Sequence, residues 1–150
     1  MEGNIDKQDT GESKTDRGKE RGMMRTYATQ MEAARKGIVT PEMKAVAKKE
    51  YRSEEEIREL VAKGQVAICA NRLHTCIDPN GVGSMLRTKI NVNLGVSRDC
   101  KDYDVEMQKV MAAVNMGAEA IMDLSSHGNT QPFRQKLTTE CPPMIGTVPI

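Results

Sequence analysis

The chain has 150 residues, and its 22 basic and 21 acidic side chains leave a formal net charge of +1. This balance excludes the basic field typical of nucleic-acid-binding proteins, and one Phe, three Tyr and no Trp are too few for a base-stacking platform. No stretch approaches the ~20 apolar residues of a membrane span. The four cysteines are irregularly spaced and follow a polar N-terminus, which favours a reducing compartment. We therefore expect a cytoplasmic protein that binds neither nucleic acid nor membrane.

Residues 1–28 are predicted to form a disordered leader. In residues 1–22 only Met1 and Ile5 are large and apolar, and charges of both signs alternate. Such a segment cannot bury enough surface to offset the chain entropy that folding removes.

Residues 29–64 are predicted to form a small helical region. Thr29 and Ser53 each precede a Glu by three residues, the spacing of a capping box at a helix N-terminus. Thr40 is followed directly by a proline, and this pair also opens helices. Gly64 follows the last helical repeat and is expected to end it.

Residues 65–150 are predicted to alternate between strands and helices. Strands are expected at 66–70, 86–94, 120–124 and 144–148, and helices from 103 and over 131–138. From residue 86 onward the order is strand, helix, strand, helix, strand, which indicates parallel βαβ units. The expected fold is therefore α/β: the first units of a (β/α)8 barrel, interrupted partway and preceded by the helical region.

Polar residues follow or end the three parallel strands, at the rim where barrels hold their active sites. They are Asn91, Asn93, Asp123, Ser125, Ser126 and Thr147. Amides, hydroxyls and one carboxylate suit a polar ligand such as a sugar phosphate. The alternative is that these side chains only satisfy loop backbone and cap the following helices.

Two further features invite a chemical interpretation. Cys69, His74 and Cys76 form a C-x4-H-x-C cluster, but zinc sites usually have tighter paired spacings and four ligands. His127 lies in a strand-to-helix loop, where it is either a phosphate contact or a surface residue. We assign no metal ligand and no catalytic residue in this chain.

Four motifs then resemble one family. Residues Thr29–Met43 (TQMEAARKGIVTPEM), Leu86–Gly95 (LRTKINVNLG), Gly117–Ser125 (GAEAIMDLS) and Ile145–Ile150 (IGTVPI) are similar, in order and spacing, to the phosphomethylpyrimidine synthases of thiamine biosynthesis. The resemblance covers about residues 27–150.

The resemblance implies a radical S-adenosylmethionine lyase on a (β/α)8 barrel. Such enzymes convert 5-aminoimidazole ribotide to 4-amino-5-hydroxymethyl-2-methylpyrimidine phosphate, using a 4Fe–4S cluster, S-adenosylmethionine and a divalent metal (zinc). Carried over by motif, the substrate contacts in this chain are Asn93 and Met122. The family places its cluster and metal ligands further downstream. We therefore expect an inactive fragment of an enzyme that is a homodimer at full length.

One departure leaves alternatives open. The family usually reads IPANxNH where this chain reads Ile68-Cys69-Ala70-Asn71-Arg72-Leu73-His74. The 5-hydroxybenzimidazole synthases of cobamide lower-ligand biosynthesis use the same ribotide and look similar across this region. A truncated, non-catalytic binding module is the third possibility.

Overall fold

The computed structural model describes residues 25–148. The described residues form five helices and five strands. In chain order they are α1 Gln30–Arg35, α2 Pro41–Glu50, α3 Glu54–Ala62, β1 Val66–Ile68, β2 Gly81–Gly83, β3 Asn91–Leu94, α4 Tyr103–Asn115, β4 Ala120–Asp123, α5 Gln131–Glu140 and β5 Met144–Thr147. The chain is therefore a mixed α/β protein, as expected. Most of the predicted leader lies outside the described residues. Within residues 25–148 no helix is long and apolar enough to cross a membrane.

The predicted caps begin the three N-terminal helices. The Thr29 hydroxyl accepts a hydrogen bond from the Glu32 amide at 3.1 Å, and Ser53 forms a complete capping box with Glu56. Thr40 caps α2, with proline at the first helical position. Each cap satisfies amide groups that would otherwise lack a partner inside the helix.

The helices of residues 29–64 and strand β1 share one apolar cluster. Met43, Val46, Ile57 and Val61 are almost completely buried in it. These side chains recur at helical spacing on α2 and α3, so that each helix turns one apolar face inward.

Strand β1 does not belong to the parallel sheet. It pairs antiparallel with β2, and Val66 lies opposite Gly83 in a separate two-stranded sheet. The predicted unit 65–150 is therefore not a single sheet, and its first strand closes a hairpin beside the helical region. A Cβ at Gly83 would lie 2.1 Å from the carbonyl oxygen of Gln65, so the close approach of the two strands requires glycine there.

The second sheet is parallel, in the order β3-β4-β5. Both connecting helices, α4 and α5, share an apolar cluster with one face of this sheet. On that face lie Val92, Leu94, Ile121 and Ile145, and the predicted βαβ units are confirmed. The described residues form no closed barrel.

Strand β3 is shorter than predicted, because residues 86–90 do not join the ladder. The amide of Arg87 donates to the Glu50 carboxylate at 2.8 Å, and the amide of Ile90 donates to the Glu119 carboxylate at 3.2 Å. Backbone groups that bond to side chains cannot pair with a neighbouring strand. Ile90, directly before the ladder, is 59% exposed.

Ion pairs connect the helical region to the amino end of β3. The Lys89 ammonium lies 2.6 Å from the Glu50 carboxylate, and the two side chains are only 5% and 2% exposed. Arg87 pairs with Glu119 at 2.8 Å. Beside these ion pairs Leu86 packs against the cluster of the helical region, and the two apolar clusters share no buried residue.

Candidate functional site

The face of the parallel sheet opposite the helices carries the two residues that the family resemblance singles out. Asn93 lies directly opposite Met122 on the neighbouring strand, and Met122 lies opposite Gly146. Partners in parallel register point to the same side of a sheet. Asn93 is exposed and Met122 is half-buried. The structure thus brings both candidates together in one cross-strand row, two strands wide.

Glycine completes this row because it leaves room for the methionine. A Cβ at Gly146 would lie 2.8 Å from the terminal carbon of Met122 and 2.9 Å from its sulfur. The Met122 side chain therefore extends over the backbone of β5. Gly146 was not predicted as a site residue. Its position between two β-branched residues of a predicted strand could have indicated a close approach of a side chain.

Asn91 shares the exposed face and contacts Asn93. Its amide nitrogen donates to the amide oxygen of Asn93 at 2.8 Å. Two residues apart on a strand, the side chains point the same way. The neighbour of Asn91 on β4 is Ala120, which leaves the amide uncovered on that side.

Two other predicted rim residues have structural roles. Asp123 is buried; one carboxylate oxygen accepts from the Ser125 amide at 2.9 Å, and the other pairs with Arg134 at 2.8 Å. The buried Ser125 hydroxyl accepts from the Val96 amide at 3.1 Å. These bonds hold the loops after β3 and β4 together, so neither side chain is presented to a ligand. The hydrogen bonds favour the structural alternative for this pair.

Gly95 lets the two loops meet. Its φ is +147°, and a Cβ there would lie 2.5 Å from the Ser125 amide nitrogen. Its own amide donates to Glu106, a carboxylate only 1% exposed, which also pairs with Lys109. Glu106 was missed because one acidic residue in the first turn of a helix looks like an ordinary dipole partner.

The remaining rim residues lie at the surface. Ser126, His127 and Thr147 are exposed. The backbone carbonyl of His127 accepts from the Tyr103 hydroxyl at 3.1 Å, which anchors the loop to α4.

The C-x4-H-x-C cluster does not assemble. The buried His74 ring lies 2.6 Å from the carbonyl oxygen of Cys141, the Cys76 thiol donates to the Thr138 carbonyl, and Cys69 is exposed. These bonds anchor the loop after β1 to the end of α5. Among residues 25–148 no three His, Cys, Asp or Glu side chains group as metal ligands would.

The fourth cysteine, Cys141, is buried, and burial determines the reactivity of its thiol. It raises the pKa of the Cys141 thiol to about 11, with a smaller contribution from the neighbouring Cys76. A thiol that stays protonated at neutral pH is a poor nucleophile and a poor metal ligand. Cys141 therefore serves as a packing residue.

Two cavities lie away from the exposed face. One of about 440 Å³ borders α1 and β1 and is lined in part by Arg25, Tyr27 and Arg72. The other, of about 360 Å³, is lined by residues that include Lys49 and Glu119. Neither Asn93 nor Met122 lines either of these two cavities.

Comparison with known proteins decides the family. The Radical SAM ThiC family matches residues 29–150, which is most of the chain. The chain belongs to the Radical SAM ThiC family. Its exposed row of Asn93 and Met122 is thus part of a sheet in a radical S-adenosylmethionine protein.

Relatives of this family member cover the same region. The chain is 60% identical over 124 residues to a phosphomethylpyrimidine synthase of Alkaliphilus oremlandii, 58% to one of Clostridium botulinum, and 57% to one of Clostridioides difficile. Each match covers 83% of this chain but only 28–29% of the relative's length. The chain therefore spans less than a third of the curated relatives that it matches.

The described residues of this Radical SAM ThiC family member do not fit the family's iron–sulfur cluster. Three thiolates must converge on such a cluster to leave one iron free for S-adenosylmethionine. Here Cys141 is buried beside His74, whereas Cys69 and Cys100 are exposed on separate loops. We derive no reaction step through the cluster from these residues.

Proposed function

We propose that this chain forms part of the ribotide site of a phosphomethylpyrimidine synthase. The full enzyme would convert 5-aminoimidazole ribotide to 4-amino-5-hydroxymethyl-2-methylpyrimidine phosphate in thiamine biosynthesis, as a carbon–carbon lyase. The observation that carries the proposal is the register of Asn93 opposite Met122 on the face that the helices leave open.

The arrangement of the sheet supports a (β/α)8 barrel for the full enzyme. The three parallel strands are adjacent in chain order, and both connecting helices pack on the same face. A doubly wound sheet places helices on both faces, whereas a barrel keeps them all outside. In the described residues β5 pairs on one side only, and closure into a barrel would pair its other edge. The open face would then line the interior.

The chemistry of the row suits a ribotide. Asn93 offers an amide that can hydrogen-bond a hydroxyl or phosphate oxygen, and the Met122 thioether offers a polarisable apolar surface for a flat heterocycle. Both residues lie near the carboxyl ends of their strands, where barrels bind substrate. In this proposal Asn93 and Met122 are substrate-binding residues, and neither takes part in bond cleavage.

The cofactors and assembly of the full enzyme belong to the same proposal. The family name implies S-adenosylmethionine and an iron–sulfur cluster, whose ligands would come from outside the described residues. We also propose zinc, a homodimer and a cytoplasmic location. These follow from the family resemblance and from the irregularly spaced cysteines, none of which is in a disulfide.

The loop that departs from the family pattern does not favour the alternative function, that of a 5-hydroxybenzimidazole synthase. That loop contacts Cys141 and Pro142, just before the amino end of β5. The loop therefore lies at the end of the sheet opposite the rim. A residue that changes the reaction would have to act at the rim, where the substrate is proposed to bind. Product analysis of the complete protein would decide between the two reactions.

Asn93→Ala tests the ribotide site. In the complete open reading frame that contains this chain, we expect ribotide affinity to fall roughly ten-fold, since a buried hydrogen bond to a ligand contributes about 0.5–1.5 kcal/mol and 1.4 kcal/mol is a factor of ten. Calorimetric titration with 5-aminoimidazole ribotide measures the affinity, and a melting curve is recorded beside it.

The free protein should keep its stability, because Asn93 belongs to neither apolar cluster. Asn115→Ala, at an exposed residue at the end of α4, is the matched control and should change neither quantity. Unchanged affinity together with a clear loss of stability would remove Asn93 from the site and leave the binding-module alternative.

A further inference from the structure

The hydrogen bond between Asn91 and Asn93 is directional, and its direction fixes what Asn93 can offer a ligand. An asparagine amide has an oxygen that accepts and a nitrogen that donates, at opposite ends of one plane. Here the nitrogen of Asn91 donates to the oxygen of Asn93 at 2.8 Å. One of the two acceptor sites on the Asn93 oxygen is therefore engaged, and the nitrogen of Asn93 is turned away from Asn91 with both hydrogens free of that bond.

The neighbours of the pair leave this orientation undisturbed. Across β4 the register partners are Ala120 and Met122, and neither carries a strong donor or acceptor on its side chain. The preceding cation, Lys89, is held in the buried pair with Glu50 and in a 2.6 Å bond to the Arg87 carbonyl. Asn91 is thus the residue whose side chain sets the polarity of the Asn93 amide.

We propose that Asn91 is a positioning residue that makes Asn93 a hydrogen-bond donor to the ligand. The ligand atom that meets Asn93 is then an acceptor, such as a phosphate oxygen, a hydroxyl oxygen or an unprotonated ring nitrogen. A ligand that presents only an N–H at this point meets the donor end of the Asn93 amide and is therefore disfavoured. The identity of the ligand rests on the proposed function, but the orientation of the amide does not.

The orientation can be tested on the 150-residue chain without ligand. In a ¹⁵N-labelled sample, one side-chain amide proton of Asn91 should exchange slowly and show a small temperature coefficient, whereas both protons of Asn93 should behave as solvent-exposed. Asn91→Leu, of nearly equal size, should shift the Asn93 amide resonances, and Asn115→Leu should not. Protected protons on Asn93 with free protons on Asn91 would overturn the proposal.

The consequence for recognition is tested by ribotide titration of the complete protein. Asn91→Leu should weaken binding about three- to ten-fold, because the Asn93 amide loses its preset orientation. Asn91→Asp should weaken it by more than ten-fold: an ionised carboxylate only accepts, so it draws the Asn93 donor toward itself and adds a negative charge. The melting temperature should stay within about 2 °C in both variants, because Asn91 belongs to neither apolar cluster.

The two proposals fail differently. If the unsubstituted protein does not bind ribotide, the proposed function is overturned, and only the orientation of the Asn93 amide, decided by the resonances, survives. If ribotide binds and both Asn91 variants bind it with unchanged affinity, the proposed function survives and the positioning role is wrong. If affinity falls only in step with the melting temperature, Asn91 has a purely structural role.

Discussion

Lys89→Met removes the ammonium from the buried pair with Glu50 and keeps an apolar side chain of similar length. Removing one partner of a buried pair costs about 3–5 kcal/mol, because the other charge is left buried without compensation. Glu50 retains the Arg87 amide at 2.8 Å and the Arg87 guanidinium at 3.9 Å. The lower end of that range, about 3 kcal/mol, is therefore the expected loss in the free energy of unfolding.

A surface pair provides the matched control. Lys36 and Glu32 are also 2.6 Å apart, but their side chains are 50% and 39% exposed. Water screens that pair, so Lys36→Met should change the free energy of unfolding little. At ~2–4 °C per kcal/mol for a chain of this size, Lys89→Met should lower the melting temperature by roughly 6–12 °C and the control by much less.

Urea titrations followed by circular dichroism measure both losses. Equal effects of the two substitutions would show that burial does not strengthen the Lys89–Glu50 pair, because the two pairs have the same N–O distance and differ strongly in exposure. Acid gives a second comparison. Burial alone would raise the pKa of the Glu50 carboxyl, but hydrogen bonds from Lys89 and the Arg87 amide outweigh it, and the pKa lies below its usual value.

A carboxyl whose pKa is lower in the folded state stabilises the fold above its unfolded pKa of ~4.3, and this contribution is lost as the pH falls through the folded pKa. The unsubstituted protein should therefore lose stability on acidification below about pH 4.3. Lys89→Met, which has lost the largest favourable interaction of Glu50, should lose less over the same interval.

Two further outcomes are expected. Gly95→Ala should destabilise the fold by several kcal/mol, because its Cβ would lie 2.5 Å from the Ser125 amide nitrogen at a φ of +147°. The control Gly117→Ala is also at positive φ but has nothing within 4 Å, so it should lower the free energy of unfolding, measured by chemical denaturation, by only about 1 kcal/mol. Cys141 should resist alkylation at pH 8 in the native protein, since burial raises its pKa to about 11, whereas the exposed Cys100 should react and be identified by peptide mass spectrometry. Equal labelling of both cysteines would show that the end of α5 is open.

Local signals in the sequence predicted the helices well. The caps at Thr29, Thr40 and Ser53 lie where the pattern placed them, because a cap depends only on neighbours in the chain. The parallel units after residue 86 were also predicted, since alternating apolar runs and helical repeats admit few other arrangements. The row formed by Asn93 and Met122 required the family motifs, because periodicity gives faces of strands and not their ligands.

The errors arose where distant side chains replaced backbone partners. Residues 86–90 fall in the predicted strand pattern. The amides of Arg87 and Ile90 nevertheless donate to the carboxylates of Glu50 and Glu119, which lie in other parts of the chain. The alternating pattern cannot reveal partners that lie 29 and 37 residues away in the chain. Asp123 ends β4 at the rim as expected, but the pattern could not reveal its buried pair with Arg134, which forms between a strand and the following helix.

The polar junction between the two apolar clusters also bears on how the chain folds. The cluster of the helical region is built from residues 33–68, so its contacts close short loops at little entropic cost. Its collapse needs no side chain from the sheet. The ion pair of Glu50 and Lys89 stabilises the fold only after both residues are in place and shielded from water, because charges in water attract each other weakly. We therefore expect the two local units to collapse first and the ion pair to form late in folding.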